Sequence, residues 1–328
     1  MMKKQNLSNE TTTHNNLTLR EVRWEDLAAI TQLIYGVCEA EGDTAVAVSE
    51  EDLKNEWAFE GFDPQQDAFV LQTTEGKLAG YAALYDIDQH GELSGDIYLH
   101  PDFDAHLIGQ RLLQALHKRG TLHISLAPAD QRVFMRTPVD NQNQLIKKLF
   151  LSEGYQAVRY HWRMQIDLAN PPELSALPDS LTLHPFIWEE HARAVWQMRN
   201  EAFKENWGSH QLSFEEFSYF TKENPAYDPS LWMVLWDSQQ IAGFCINHMR
   251  MGIGWIHILG VAPTWRGKGL GLNLLQHSFA AFHKRGISSI GLGVDAANES
   301  GATRLYQRAG MLTISEFVTF EKELRAGK

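Results

Sequence analysis

The sequence predicts a mixed α/β protein made of two tandem domains, and two observations support this prediction. Each half alternates strand-like and helix-like apolar patterns, and landmarks of the first half recur in the second half in the same order. LTLREVRWED begins at Leu17 and matches LTLHPFIWEE, which begins at Leu181. KLAGYAAL matches QIAGFCIN, and their glycines, Gly80 and Gly243, are separated by a similar number of residues. A duplicated domain explains these matches better than one continuous fold.

The order of elements can be read from the same patterns. Residues 1–16 are polar and are expected to be a disordered tail, residues 17–168 the first domain, residues 169–180 a linker with three prolines and residues 181–328 the second domain. In the second domain, strands are predicted at 181–184, 232–236, 241–248, 255–261, 287–294 and 314–321. Helices are predicted at 189–204, 213–222, 270–285 and 299–309.

Composition limits the classes of function. The 328 residues are 44% hydrophobic and 21% charged, as in a soluble globular protein. The net charge of -12 argues against nucleic acid as the main partner, and no apolar run is long enough to span a membrane. Cys38 and Cys245 are too few for a disulfide framework, so we expect a reduced, cytoplasmic location.

The segment VAPTWRGKGLG, residues 261–271, lies between a predicted strand and a predicted helix. A glycine-rich turn that opens a helix presents backbone N–H groups and the positive helix end to an anion. It is not a P-loop, because Gly269 follows Lys268 where Ser or Thr is required. It is not a dinucleotide-binding fingerprint either, because the spacing of its glycines is not GxGxxG. The segment therefore predicts a pyrophosphate site, with a plain tight turn as the alternative.

This segment resembles the acetyl-CoA signature R/Q-x-x-G-x-G/A of the Gcn5-related N-acetyltransferases (GNAT). Arg266, Gly269 and Gly271 fill the pattern, with Val261 and Pro263 in front. The resemblance implies two tandem acyl-CoA N-acyltransferase domains, similar to mycothiol synthase-like proteins, with acetyl-CoA as co-substrate and no metal. It covers nearly the whole chain, but its motifs are specific only in the second half.

The resemblance also implies a set of cofactor-binding residues on the strand before the turn, in the turn, and around the last short helix. They are Leu259, Gly260, Val261, Arg266, Gly267, Lys268, Gly269, Leu270, Gly271, Asn298, Ala302 and Tyr306. In the family, the strand before the turn splays from its neighbour, which implies free amides near Leu259 and Val261 for pantetheine and the thioester carbonyl. Asn298 can also serve as a helix N-cap.

Two side chains are candidates for proton transfer. Tyr306 matches the tyrosine of the family pattern N-x-x-A-x-x-L-Y, and a pKa of about 10 lets it hold a proton for the departing thiolate. Its alternative role is a core residue. His257 is the titratable side chain of WIHILGV, where alternation places Trp255, His257, Leu259 and Val261 on one face. It is either the general base or a hydrogen-bonded core histidine.

Acceptor-binding residues are expected around FKENWGSHQLSFEEF, which in relatives lines the acceptor pocket. We assign Glu201, Trp207 and His210, because a carboxylate can hold an ammonium group and a tryptophan can offer a cation–π face. Ordinary helix surface charge with one packing tryptophan is the alternative.

The first half lacks the cofactor chemistry. Asp104 and Leu107 stand where the second half has Arg266 and Gly269, and Phe150 matches Tyr306. We therefore expect catalysis in residues 181–328, with the first half a scaffold or a degenerate binding domain.

The predicted function is transfer of an acetyl group from acetyl-CoA to a primary amine of a small molecule, by direct attack in a ternary complex. A monomer or homodimer is expected, with no nucleic-acid or membrane partner. A non-catalytic acyl-CoA-binding or regulatory module is the alternative. A metal hydrolase is disfavoured, since the sequence contains no HxxEH or HExxH motif.

Overall fold

The computed structural model of the protein describes residues 17–238, 240–298 and 300–328. The predicted tail, residues 1–16, lies outside the described residues. The chain divides into two compact units. The first contains the described residues up to Val139 with Asn143–Ala157 and Phe320–Lys328, and the second contains Asp140–Gln142 and Val158–Thr319. Strands and helices alternate in both, which confirms the mixed α/β class.

The first unit has one sheet with helices packed on it. Its strands are β1 (Thr18–Glu21), β2 (Ala68–Gln72), β3 (Leu78–Asp88), β4 (Glu92–Leu99) and β5 (Val133–Asp140). Its helices are α1 (Leu27–Glu41), α2 (Glu50–Trp57), α3 (Pro64–Asp67), α4 (Ala105–Leu126) and α5 (Gln144–Ser152). Strands β1 to β4 pair antiparallel in order, and β4 pairs parallel with β5. Residues of β4 alternate between buried and half-buried, so one of its faces is partly open.

The second unit repeats this plan. Its strands are β6 (Gln156–Asp167), β7 (Leu181–Pro185), β8 (Met233–Asp237), β9 (Gln240–Arg250), β10 (Ile253–Val261), β11 (Ser289–Asp295) and β12 (Leu312–Arg325). Its helices are α6 (Trp188–Phe203), α7 (Phe214–Thr221), α8 (Leu270–Lys284) and α9 (Ala302–Arg308). The strand order is β6-β11-β10-β9-β8-β7, with β10 and β11 parallel. Each predicted strand and helix is present, with ends displaced by a few residues.

The predicted domain boundaries differ from the two compact units. Strand β6 precedes the linker, yet it pairs with β11, and Arg159 forms a 2.6 Å ion pair with Asp295. The end of β12 belongs to the first unit, where Glu321 forms ion pairs with Arg132 and Arg136 at 2.7 and 2.9 Å. A sequence repeat shows which strands correspond, but it carries no information about which strand pairs with which.

Two further features concern the predicted location. Cys38 and Cys245 are buried free thiols. Within the described residues, none of the helices combines the length and the apolar character that crossing a bilayer requires.

Candidate active site

The turn before α8 has a backbone that requires glycine. Gly267 has φ +74° and Gly269 has φ +85°, and both have open space around the position of a Cβ, so conformation rather than crowding selects glycine. Gly269 is the N-cap of α8 and contributes no capping side chain. Within the described residues, the N–H groups of Leu270 and Gly271 therefore begin the helix without a side-chain partner.

Two cations flank this turn. Arg266 and Lys268 are exposed. The Arg266 guanidinium donates to the carbonyl oxygens of Val261 and Ala202, both at 3.4 Å, and the Lys268 Nζ lies 4.4 Å from the ring centre of Trp265. Together with the positive end of α8, these side chains form an anion-binding surface suited to a pyrophosphate.

The corresponding turn of the first unit is closed by its own carboxylate. Asp104 is the N-cap of α4, and its Oδ1 accepts hydrogen bonds from the N–H groups of His106 at 2.9 Å and Leu107 at 3.1 Å. These are the N–H groups that an anion would bind at a helix start. Asp104 therefore occupies the anion position as well as repelling a phosphate.

Strand β10 separates from β11 beyond its first residues. The two strands pair at Gly254 and Trp255, whereas β10 stays paired with β9 to its end. The N–H of Ala262 donates to a β9 carbonyl at 2.9 Å, and antiparallel alternation then turns the N–H groups of Leu259 and Val261 away from β9. They face the gap between β10 and β11. Their binding to pantetheine stays a prediction.

A β-bulge at His257 changes which residues share a face of β10. The register with β9 shifts by one residue across His257. The extra residue reverses the alternation, so Trp255 lies on the face opposite to Leu259 and Val261. The prediction that Trp255, His257, Leu259 and Val261 share one face was wrong, because an apolar alternating pattern carries no sign of a bulge.

His257 opens into a recess that we call the β10 recess. The ring centre of His257 lies 5.2 Å from the ring centre of His248 on β9. The recess has an empty volume of about 220 Å³ including its open mouth. Its remaining lining residues are Phe220, Thr221, Asn224, Ala226, Tyr227, Trp232 and Ile246. Sequence reasoning missed His248, because its distance from His257 depends on strand register.

Both histidines are neutral at pH 7. Burial, with the positive charges of Arg250 and Arg199, lowers the pKa of His257 to about 4. Burial, with His257 and Arg250, lowers the pKa of His248 to about 3. His257 is an exposed residue, so solvent also reaches it. A neutral imidazole can accept a proton.

Tyr306 lies on α9 and is 9% exposed. Burial, and then the charge of Cys245, raises the pKa of Tyr306 well above its usual value, so the phenol keeps its proton at neutral pH. Cys245 on β9 contacts Ser278 of α8 at 3.3 Å, and by alternation it lies on the face opposite to His248. Cys245 and the recess residue His248 therefore lie on opposite faces of β9.

Asn298 does not cap α9. The helix begins at Ala302 with Gly301 as its N-cap, later than predicted. The Asn298 Oδ1 accepts from the N–H of Ser300 at 2.8 Å and from the Ser300 hydroxyl. The capping alternative for Asn298 was therefore wrong. Ala302 packs partly buried against the core of the second unit.

The three residues assigned to acceptor binding do not belong to the lining of the β10 recess as described. Glu201 is exposed and pairs with Lys204 at 2.7 Å. The ring centre of Trp207 lies 5.5 Å from the Arg159 guanidinium, and the carbonyl of His210 accepts a 2.6 Å hydrogen bond from an α6 arginine. Their contact with an acceptor stays a prediction.

One group of described residues has the chemistry of metal ligands, and it lies in the first unit. The Nδ1 of His90 is 2.5 Å from Oδ2 of Asp86 and 3.0 Å from Nδ1 of His123. The prediction that acetyl transfer by this chain uses no metal stays a prediction.

Comparisons with known proteins agree with this geometry. The sequence profile of the acetyltransferase (GNAT) family matches residues 192–311. The chain is similar to a mycothiol acetyltransferase of Saccharopolyspora erythraea, with 27% identity over 272 residues that cover 81% of this chain and 86% of that protein. It is similar to the mycothiol acetyltransferase of Thermobispora bispora, with 28% identity over 255 residues, 75% of this chain and 81% of that protein.

Two solved structures are also similar. A GCN5-related N-acetyltransferase from Sphaerobacter thermophilus has 32% identity and a TM-score of 0.82, covering 97% of this chain and 98% of that chain. A tandem GNAT protein from the clavulanic acid biosynthesis pathway shares the fold, with 15% identity and a TM-score of 0.75 over 95% of this chain and 100% of that chain.

Proposed function

We propose that the second unit acetylates the primary amine of a small molecule. The chain belongs to the Gcn5-related N-acetyltransferase family in its tandem form, and it is an acetyl-CoA-dependent N-acetyltransferase. The observation that carries this proposal is the contrast between two helix starts. The start of α8 is open and flanked by Arg266 and Lys268, whereas Asp104 fills the start of α4. A pyrophosphate therefore fits the second unit.

The proposed reaction is a direct transfer in a ternary complex. The amine nitrogen attacks the thioester carbonyl carbon and gives its proton to His257, directly or through a water. The N–H groups of Leu259 and Val261 stabilise the oxyanion. The C–S bond then breaks, and the coenzyme A thiolate takes the proton of Tyr306. At neutral pH Tyr306 holds its proton and His257 is neutral, so each starts in the protonation state that its role requires.

The β10 recess favours an acceptor whose amine is uncharged when it reacts. Its described lining contains aromatic, amide and imidazole side chains and no carboxylate. The positive charges of Arg199 and Arg250 act on His257 and would likewise disfavour a second cation beside it. We therefore infer a small amine with neutral or anionic substituents, in preference to a polyamine.

A coenzyme A release assay across amino sugars, amino acids, aromatic amines and polyamines tests this proposal. We expect turnover with amines that carry hydroxyl or carboxylate groups and little turnover with polyamines such as spermine. Thiol release with none of these amines would contradict the proposed function and favour the non-catalytic acyl-CoA-binding module.

Replacing His257 by glutamine is expected to lower kcat by roughly 10- to 100-fold without changing the KM for acetyl-CoA, because only proton removal from the amine is lost. Because burial lowers the pKa of His257 below its usual value, the imidazole stays a neutral base at pH 7 and above. The wild-type kcat should therefore show no inflection at the usual histidine pKa of about 6.5. A pH–rate profile at saturating substrates measures both effects.

His184→Gln is the matched control, since His184 is exposed on β7 and should leave kcat unchanged. Equal kcat values for wild type and His257→Gln would remove His257 from the reaction. An inflection near pH 6.5 that the variant abolishes would contradict the lowered pKa.

A further inference from the structure

Two histidines and one aspartate bring their metal-binding atoms together in the first unit. Asp86 lies near the end of β3, His90 lies in the turn between β3 and β4, and His123 lies in the last turn of α4. The Nδ1 atoms of His90 and His123 are 3.0 Å apart, and Oδ2 of Asp86 is 2.5 Å from the first and 3.8 Å from the second. We call these three residues the Asp86 cluster.

The local fold holds the three side chains in this arrangement. Oδ1 of Asp86 accepts a 2.8 Å hydrogen bond from the N–H of His90, and Oδ2 is the oxygen that faces the two rings. His90 has φ +66°, a left-handed conformation that is uncommon outside glycine. Gly120, one turn before His123, lets α4 approach the sheet, since a Cβ there would lie 3.5 Å from Leu93, the β4 residue that pairs with Asp86. A strand, a turn and a closely packed helix thus each supply one member of the cluster.

Hydrogen bonding alone does not account for both contacts of the His90 Nδ1. An imidazole ring nitrogen either donates one hydrogen or accepts with one lone pair, so it forms one good hydrogen bond at a time. The Nδ1 of His90 lies within hydrogen-bond distance of two atoms, Oδ2 of Asp86 and Nδ1 of His123. Whichever contact is the hydrogen bond, the other one brings two electronegative atoms together without a hydrogen between them. A cation placed between the three atoms would attract all of them.

The spacing of these three atoms suits a divalent transition-metal ion. In a tetrahedral site with bonds of about 2.0–2.1 Å, neighbouring donor atoms lie roughly 3.3 Å apart. The three distances in the Asp86 cluster, 2.5, 3.0 and 3.8 Å, lie on both sides of this value. Shifts of less than about 1 Å would therefore place all three atoms at bonding distance from one ion. The side chain of His90 is 35% exposed, so water can reach a fourth position.

We propose that the Asp86 cluster binds Zn²⁺ through Nδ1 of His90, Nδ1 of His123 and Oδ2 of Asp86, with water as the fourth ligand. Two imidazole nitrogens and one carboxylate suit Zn²⁺ better than Mg²⁺ or Ca²⁺, which prefer oxygen ligands. The positive charge of Arg119, one turn before His123, is compensated by an ion pair with Asp67 at 2.6 Å. The bound ion ties the β3–β4 turn to α4 and so stabilises the first unit.

Isothermal titration of the metal-free full chain with ZnCl₂ tests this proposal. His90→Asn removes one ligand and keeps a residue that tolerates positive φ. We expect its zinc affinity to fall at least about 100-fold below that of wild type. His106→Asn is the matched control, because His106 is exposed near the start of α4, and it should bind zinc as wild type does. Titration of wild type with MgCl₂ should give no comparable binding.

The melting temperature gives a second measurement. Zinc at about 100 times its dissociation constant should raise the melting temperature of wild type by roughly 3 °C or more, because the ion binds the folded state, and EDTA should reverse the rise. The melting temperature of His90→Asn should barely respond to zinc, and its value in EDTA shows whether the variant is folded. Asp86→Asn removes a different ligand and should show the same loss of response.

Equal zinc affinities for His90→Asn and His106→Asn would overturn the proposal, as would wild type that binds Mg²⁺ as tightly as Zn²⁺. Failure of wild type to bind zinc would show that the three residues form a hydrogen-bonded cluster only, and would overturn it as well. All variants keep His248 and His257, so any zinc held by the β10 recess contributes equally to each titration. The result is therefore independent of the proposed acetyl transfer, which the coenzyme A release assay measures separately.

Discussion

Gly269→Glu is expected to weaken acetyl-CoA binding by at least about 100-fold, or about 2.8 kcal/mol. Gly269 has φ +85°, a conformation that a side chain adopts only with strain. A glutamate there would also place a carboxylate at the start of α8, where it could accept from the helix N–H groups as Asp104 does in α4. Strain, repulsion of the pyrophosphate and occupation of its donors all act against binding. Isothermal titration with acetyl-CoA measures the loss.

Gly286→Glu is the matched control for this prediction. Gly286 follows the other end of the same helix, has φ +78° and has open space around its Cβ position. The substitution therefore adds the same strain and the same charge, away from the turn. We expect acetyl-CoA affinity close to that of wild type. Equal affinities for Gly269→Glu and Gly286→Glu would show that the turn before α8 is not the cofactor site.

Tyr306→Phe should lower kcat by roughly 100- to 1,000-fold while acetyl-CoA binds with unchanged affinity, because the substitution removes only the proton donor. The ring should still fit, since the first unit has the fully buried Phe150 at the corresponding place. Stopped-flow or steady-state thiol release gives kcat, and titration gives the dissociation constant. If kcat is unchanged, another group protonates the thiolate.

Tyr155→Phe provides the control for loss of a buried phenol. Tyr155 in the first unit is 2% exposed, and its hydroxyl contacts Nε2 of His117 at 2.9 Å. Its replacement should lower the melting temperature through the lost hydrogen bond and leave kcat unchanged. A similar loss of kcat in both variants would mean that Tyr306 acts through stability instead of proton transfer.

Much of the fold could be predicted from local signals. The strands and helices of the second unit follow from apolar periodicity, which depends on neighbours along the chain. The special backbone at Gly267 and Gly269 follows from the residue type, since glycine tolerates positive φ. The loss of the anion site in the first half was visible from Asp104, although its hydrogen bonds to the helix N–H groups were not.

The features that sequence reasoning missed depend on pairing between distant residues. The bulge at His257 and its approach to His248 arise from the register of β9 and β10, and a shift of one residue leaves no mark on the apolar pattern.

By itself, then, the sequence determined the duplicated α/β plan, and it predicted an acetyl-CoA turn in the second half, because periodicity, residue type and motif spacing are local properties. The tertiary structure decided which unit β6 and the end of β12 join and which face His257 occupies. These depend on strand pairing and burial, whose free energy comes from contacts between residues far apart in the chain.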